Sequence, residues 1–373
     1  MFVSPVSPVS HTPFAATILP MQSNPAAIKF GQTPPLKARL SGSLLPYLPA
    51  SVIIQHIIRN PVLASSNSHT ILDWKTVDVD ALNLLPPNTA VPFKTRDKAT
   101  LVGTWVPAAT ASTTTVIMGH GYIANGSVFV PLVQALHQAG VNVFLFDFRA
   151  HGRSRRLGQW RSSIGLEREG YDILAAVETV KKRFSEQAKT LVYLGHSMGA
   201  SAFLAAPHSL KREADALDLL KHQVDGIVLD SPFRDLAAAF RESKTLQQAL
   251  NKRKMQQLAH QSFAPWLHPI RRPIGKLTPS LIFKNSPLYE KFTETGRWLH
   301  LHGDQDTTTP YQQALEISED LKTPLGTLRG EDHQNEAWEI PGLPGKFRTV
   351  VRNEDYVKRI VDFVKRLAAS STD

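Results

Sequence analysis

From Trp74 onward, short apolar runs alternate with longer stretches in which apolar residues recur every three to four positions. Thr115–Met118, Val141–Phe146, Leu191–Leu194, Val224–Leu229, Trp298–Leu301 and Pro324–Leu328 are too short for helices and predict strands, most of them buried. Val128–Gln138, Leu166–Phe184, Tyr311–Leu321 and Tyr356–Leu367 carry the helical period, and a further helix begins over Met198–Leu204. Trp74–Val79 and Ala99–Val106 predict a pair of entry strands, with Thr95–Lys98 turning into the second. Buried strands alternating with amphipathic helices imply an α/β fold, a mostly parallel sheet flanked by helices on both faces.

Two segments break the rhythm. Residues 1–72 hold ten of the 26 prolines, a density that prevents regular helix or sheet, and read as a separate N-terminal arm. No charged segment precedes its first apolar stretch, which argues against a signal peptide. Within it, Val52, Ile53, Ile57 and Ile58 fall on one face of a short helix over Ala50–Asn60, suited to packing on the domain or to lying on a membrane surface. Residues 231–296 lie between two predicted strands. A polar, basic helical stretch, Leu236–Ala259, leads into Trp266, Leu267, Ile270, Ile274, Leu281 and Phe283 among prolines. This segment reads as a cap inserted at the strands' carboxyl ends, or as a small subdomain covering the sheet. The core is then 73–230 together with 297–373.

Charge follows the same division. The 373 residues carry 42 basic and 32 acidic side chains, a formal +10. Residues 1–72 contribute four bases and no acid, and residues 231–296 contribute eleven bases against four acids, so the remainder is nearly neutral. A neutral core argues against nucleic-acid binding, and two basic segments leave peripheral contact with an anionic membrane open. The absence of cysteine excludes a thiol nucleophile, a disulfide framework and a Cys-based metal site. No apolar run reaches the ~18 residues of a membrane span, so the expected place is the cytoplasm, with a membrane-peripheral alternative.

The sharpest chemical signal is Gly195-His196-Ser197-Met198-Gly199, a G-x-S-x-G match between a predicted strand and a predicted helix. A serine on so tight a turn projects its hydroxyl from the sheet edge, and glycines two before and two after avoid collisions with neighbouring backbone. A serine nucleophile needs a base and an orienting acid. Two loops follow later strands at the same edge: His302-Gly303-Asp304-Gln305-Asp306 through Pro310, and Gly330-Glu331-Asp332-His333. His333 is the candidate base. Asp306, Asp304, Asp332 and Asp230, which ends a predicted strand, are candidate acids. His300 and His302 alternate on one strand as half of a conceivable metal site, or as a buried and a loop histidine.

With these motifs in the order Ser, Asp, His, the chain resembles the α/β-hydrolase superfamily on its serine-hydrolase side, from about Trp74 to Leu367. Gly119-His120-Gly121-Tyr122 is similar to the family's His-Gly-x segment after the third strand. Asp147 to Ser154 is similar to its Asp-x-Arg-Gly-x-Gly-x-Ser loop, with Ala150 in place of the first glycine. His302-Gly303-x-x-Asp306-x-x-x-Pro310 is similar to its acid loop. The resemblance implies a triad of Ser197, Asp306 and His333, with the backbone N–H groups of Met198 and Tyr122 as oxyanion donors. It implies a cap after the sixth strand, and a pocket shaped by His120, Gly121, His196 and Phe233.

The expected activity is hydrolysis of a carboxylic ester or thioester, lipid-like substrates included, with no metal or organic cofactor required. An amidase or peptidase with the same triad is the alternative. A non-catalytic membrane-surface protein would be marked by a broken triad. Ser197 stands where haloalkane- and epoxide-cleaving relatives have aspartate, and no G-x-G-x-x-G follows the first strand, which disfavours dinucleotide binding.

Overall fold

The computed structural model describes residues 79–122, 124–154, 166, 168–213, 215–235, 278–293, 296–339 and 346–370. The arm expected over 1–72 and residues 236–277 of the expected cap lie outside the described residues.

Strands β1 (Thr89–Lys94), β2 (Thr100–Val106), β3 (Thr114–Gly119), β4 (Asn142–Asp147), β5 (Thr190–His196), β6 (Gly226–Asp230), β7 (Trp298–Gly303) and β8 (Gly326–Leu328) form one sheet in the order β1-β2-β4-β3-β5-β6-β7-β8. β1 and β2 pair antiparallel, as do β2 and β4, and all remaining pairs are parallel. Helices α1 (Val130–Gln138), α2 (Glu169–Arg183), α3 (Met198–Ser209), α4 (Ala216–Gln223), α5 (Pro279–Lys284), α6 (Leu288–Thr293), α7 (Tyr311–Leu321) and α8 (Glu354–Ser370) complete it, with a hairpin of β9 (Asn335–Glu339) and β10 (Lys346–Thr349).

Period-two alternation sorts the strand side chains into two cores. Ile117, Phe144, Phe146, Leu191, Tyr193, Ile227 and Trp298 pack with α2, α3, α4, α6 and α7. Their neighbours Val116, Met118, Val143, Leu145, Val192, Leu194 and Val228 pack on the other face with α1 and α8. β3 to β6 are therefore apolar on both sides, which is why they read as continuous runs.

Two differences from the sequence-based expectation have physical causes. The partner of β2 is Thr89–Lys94, whereas Val79–Leu84 is a 3-10 turn and residues 73–78 lie outside the described region. Pro92 obscures β1 in the sequence, but β1 is the edge of the sheet, where a missing donor is tolerated. At the far end of the expected cap, Phe283, Leu288 and Phe292 are fully buried against Phe203 and Trp298, inside the main core. Phe283, Leu288 and Phe292 of 278–293 thus pack into the main core.

The Asp147–Ser154 turn is held by its own polar groups. Asp147 accepts from Gly126 N and Arg153 N, both at 2.8 Å, and Ser154 Oγ donates to Asp147 O at 2.6 Å. Arg149 pairs with Asp172 and Asp97, each at 2.7 Å. Ala150 sits at φ 60°, the left-handed conformation for which glycine is usual.

α8 is amphipathic, with Tyr356, Ile360, Val364 and Leu367 buried against the sheet. Ile360→Ala should cost about 2–5 kcal/mol through lost transfer energy and a cavity. Lys358→Ala, on the solvent side of the same helix, should leave the denaturant midpoint unmoved. Equilibrium urea unfolding of both variants checks the pair.

Candidate active site

Ser197 is the single residue between β5 and α3, and its backbone is at φ 52°, ψ −113°. Ser197 N donates to Asp230 O at 2.7 Å, and Ser201 N donates to Ser197 O at 3.0 Å, so neighbouring strand and first helical turn hold the residue from two sides. A Cβ on Gly195 would lie 2.5 Å from Ala200 N, and one on Gly199 would lie 2.2 Å from Gly119 O. Neither collision involves a side chain that can turn away. These positions need glycine because the helix start is pressed against its own strand and against the end of β3. The same closeness places Gly121 beside the serine, where its Cβ would meet Ser197 Cβ at 3.2 Å. Met198, first in α3, has an N–H without an intrahelical acceptor, as every helix start does.

The loop after β7 delivers Asp306 and the loop after β8 delivers His333. His333 Nδ1 donates to Asp306 Oδ2 at 2.7 Å. Asp306 Oδ1 accepts from Thr308 N at 2.8 Å and Thr309 N at 2.7 Å, and Oδ2 also accepts from Thr309 Oγ1 at 2.9 Å. His302 Nε2 donates to Thr309 O at 2.8 Å and lies 3.3 Å from Asp306 Oδ2. Burial alone would raise the Asp306 pKa. The His333 charge, with hydrogen bonds from His302 and His333, outweighs it and holds the carboxyl well below the usual range.

Asp230 is fully buried at the end of β6 and is a hub rather than a second orienting acid for His333. Its Oδ2 accepts from His196 Nδ1 at 2.8 Å and Tyr356 OH at 2.9 Å, and its Oδ1 accepts from Arg352 Nη2 at 2.9 Å and Ser231 Oγ at 3.1 Å. Burial pushes its pKa up, but Arg352 and His196 more than reverse this. Since Nδ1 of His196 donates to Asp230, its Nε2 is the acceptor for Gln334 Nε2, at 3.0 Å. Gln334 follows the candidate base, and the His196 and His333 rings lie 4.7 Å apart. Elbow and base loop therefore meet.

The remaining candidates hold the surroundings. His120 donates from Nδ1 to Gly121 O at 2.7 Å and accepts at Nε2 from Phe148 N at 3.0 Å, so both ring nitrogens brace backbone. Phe233 is buried in the main core, its N–H on Ser201 Oγ at 2.9 Å. Tyr122 packs its ring against His151 at 5.7 Å. Asp304 accepts from Gly330 N at 2.7 Å. Asp332 accepts from Thr307 N and its own neighbour His333 N, both at 2.7 Å, and so ties the two loops together. His300 Nδ1 is 3.2 Å from Ser318 Oγ, and among the described residues no group of three or more His, Asp and Glu is arranged to hold a metal. Arg352, Tyr356, Gln334 and Thr309 complete the site without any local motif that marks them in the sequence.

The family model described as serine aminopeptidase, S33, matches residues 110–295, a span that contains Ser197 and ends before Asp306 and His333. A Pyrococcus furiosus esterase, Pf2001, superposes with a TM-score of 0.50 at 24% identity, over 78% of this chain and 95% of that one. The structure of DcsB with its substrate analogue superposes with a TM-score of 0.51 at 14% identity, over 75% of this chain and 99% of that one. The chain has the α/β-hydrolase fold. Among curated proteins, it is 30% identical over 152 residues to the uncharacterized protein YfhR of Escherichia coli O157:H7, covering 40% of this chain and 48% of that one. YfhR of Salmonella typhi is 30% identical over 148 residues. The match thus spans about half the length of these relatives. Among the described residues, no helix is long and apolar enough to cross a membrane.

The close approach at the elbow makes Gly199→Ala a severe substitution. It should abolish activity, because its methyl meets the Gly119 carbonyl and must displace the start of α3; ester turnover with circular dichroism as the folding control checks it. The buried histidines set a pH dependence of stability. Burial pushes the His196 pKa down to about 4, and those of His151 and His300 down to about 3. Each takes up a proton more readily when unfolded, so stability should fall as pH drops from about 6.5 through 4. Glu169, raised to about 7 by burial, acts with the opposite sign, since unfolding lets it ionise. His120, also lowered by burial, joins the three histidines, and Asp172, raised by burial, joins Glu169. Four buried histidines against two buried carboxyls predict a net loss, readable as a falling unfolding midpoint between pH 6.5 and 4.

Proposed function

We propose that this protein cleaves a carboxylic ester or thioester through an acyl-enzyme on Ser197, with Asp306 and His333 completing the triad. The observation that carries the reading is the 2.7 Å bond from His333 Nδ1 to Asp306 Oδ2. It fixes the tautomer that leaves Nε2 as a proton acceptor, on a loop bonded to His196, the neighbour of the strained serine. His333 takes the Ser197 proton as Oγ attacks the acyl carbonyl, and Asp306 stabilises the resulting imidazolium. The N–H groups of Met198 and Tyr122 receive the oxyanion, typically worth roughly 2.7–4 kcal/mol per donor. His333 then protonates the leaving group. In the second half it activates water to release the acid and restore the serine.

The esterase name of the Pyrococcus furiosus structure supports the ester reading. The aminopeptidase name of the matching family supports a second reading, amide cleavage at a free amino terminus by the same triad. A panel of p-nitrophenyl esters of increasing acyl length, set beside aminoacyl p-nitroanilides, separates the two. Faster turnover of the anilides would favour the amide reading over the ester one.

Ser197→Ala should lose fluorophosphonate labelling and about 10⁴-fold or more in ester turnover, with the fold intact. Retained turnover of a small acetate ester would remove Ser197 from the mechanism. Asp306→Asn should cost about 10⁴-fold, through loss of the productive tautomer. Asp304→Asn, whose carboxylate serves only a loop amide, should cost little. Steady-state kcat for the two variants distinguishes them, and reversed behaviour would move the acid to Asp304.

A further inference from the structure

We infer that the buried Asp230–Arg352 pair is a positioning device for catalysis, fixing the loop that carries His333 onto the strand ends that carry Ser197. The inference rests on Ser197 and His333 as nucleophile and base, and names what sets the distance between them.

Two nitrogens of the Arg352 guanidinium, Nε and Nη2, bond two parts of the site at once. Nε donates to Asp332 O at 2.8 Å and Nη2 donates to His333 O at 2.5 Å, so two successive carbonyls of the base loop sit on one planar group. The same Nη2 donates to Asp230 Oδ1 at 2.9 Å and Ser231 Oγ at 3.0 Å. Asp230 in turn holds the elbow by two further bonds, its carbonyl accepting from Ser197 N at 2.7 Å and its Oδ2 accepting from His196 Nδ1 at 2.8 Å. From Ser197 N to His333 O the path crosses two residues, both buried: Asp230 at 0% and Arg352 at 7% exposure. A second tie runs beside it, from Gln334 Nε2 to His196 Nε2 at 3.0 Å.

The residue types fit this task better than simple cohesion. Base and nucleophile come from loops far apart in sequence: the base loop presses its backbone onto the end of β7, where a Cβ on Gly303 would lie 2.2 Å from Glu331 O, whereas its tie to the elbow runs through polar side chains. An apolar filler would occupy the space without directing two carbonyls. A lysine would keep the charge for Asp230 as a single point, but it lacks the rigid fork that reaches both carbonyls and the carboxylate together. Tyr356 OH, bonded to Asp230 Oδ2 at 2.9 Å, keeps the carboxylate from rotating and links it to α8.

The test is Arg352→Lys in the full chain, assayed well below its own unfolding midpoint. Turnover of p-nitrophenyl acetate and the rate of fluorophosphonate inactivation are read beside wild type and Ser197→Ala. Positioning predicts a fall in kcat of roughly 10–100-fold, the penalty expected for an ångström-scale misplacement, with the inactivation rate falling in parallel and KM within about twofold. A purely structural role predicts a lower midpoint with kcat intact. That result, with Ser197→Ala inactive, overturns the inference and leaves the triad standing. A change confined to KM overturns it as well. If the wild-type chain turns over but Ser197→Ala is equally active, the reading beneath it fails. Should Arg352→Lys not fold, Gln334→Ala cuts the second tie at a half-buried position. It is then expected to lower kcat by about three- to tenfold at unchanged KM, and a wild-type kcat there overturns the inference.

Discussion

A serine at φ 52°, ψ −113° is a backbone state costing on the order of 1–3 kcal/mol, and it persists only where the surroundings over-determine it. Here they do so by proximity. With no side chain at Gly195 or Gly199, the start of α3 closes onto β5 and onto the end of β3, and the Ser197 amide is pulled to the neighbouring β6 carbonyl. That closure decides more than the serine's direction. It brings the loop after β3 against Ser197. One constraint, close approach of backbone to backbone, fixes the serine, the start of α3 and that loop together.

The other half of the site is held by charge. Asp230, Asp306 and Arg352 are all buried, and removing one partner of such a pair typically costs about 3–5 kcal/mol because the other is left uncompensated. Every oxygen of the two aspartates is therefore occupied. Asp306 is satisfied within a few residues, by the amides of Thr308 and Thr309, whereas Asp230 draws on β5, the segment after β10, and α8. The local solution makes a self-contained acid loop. The distributed one makes a hub that joins elements remote in sequence.

That difference also explains what the sequence discloses. The buried strands are legible because both sheet faces are covered, so apolar runs have no polar interruption. Ser197, Asp306 and His333 are legible because each follows a strand at one edge and lies in a short motif. β1 escapes sequence reasoning because an edge strand tolerates Pro92, and its alternation is only Val91 and Phe93. α4 is eight residues long, and the β9–β10 strands are five and four residues long, too short to stand out even beside the Pro341-Gly342 and Pro344-Gly345 turn signals between them. Arg352 has no signal at all, and Tyr356 reads only as an apolar position of α8. Arg352 lies 122 positions from Asp230, and nothing in Val350-Val351-Arg352-Asn353 announces a partner so distant. Long-range polar pairs are set by the fold and become visible only with it.

Two histidines at this sheet edge donate from Nδ1 to a buried aspartate, and their second ring nitrogens tell them apart. His196 and His333 each donate from Nδ1 to a buried carboxylate, at 2.8 and 2.7 Å. By pairing alone either would serve as a base. But His196 Nε2 accepts from Gln334, and the ring is buried deeply enough that its pKa falls to about 4. Its proton-accepting position is already taken. Among the described residues, no hydrogen bond occupies His333 Nε2. A general base needs an orienting partner on one nitrogen and a free lone pair on the other. Of these two pairs His333–Asp306 meets both conditions, which supports His333 as the proposed base, and the His196–Asp230 pair, with both nitrogens committed, supports the frame around it.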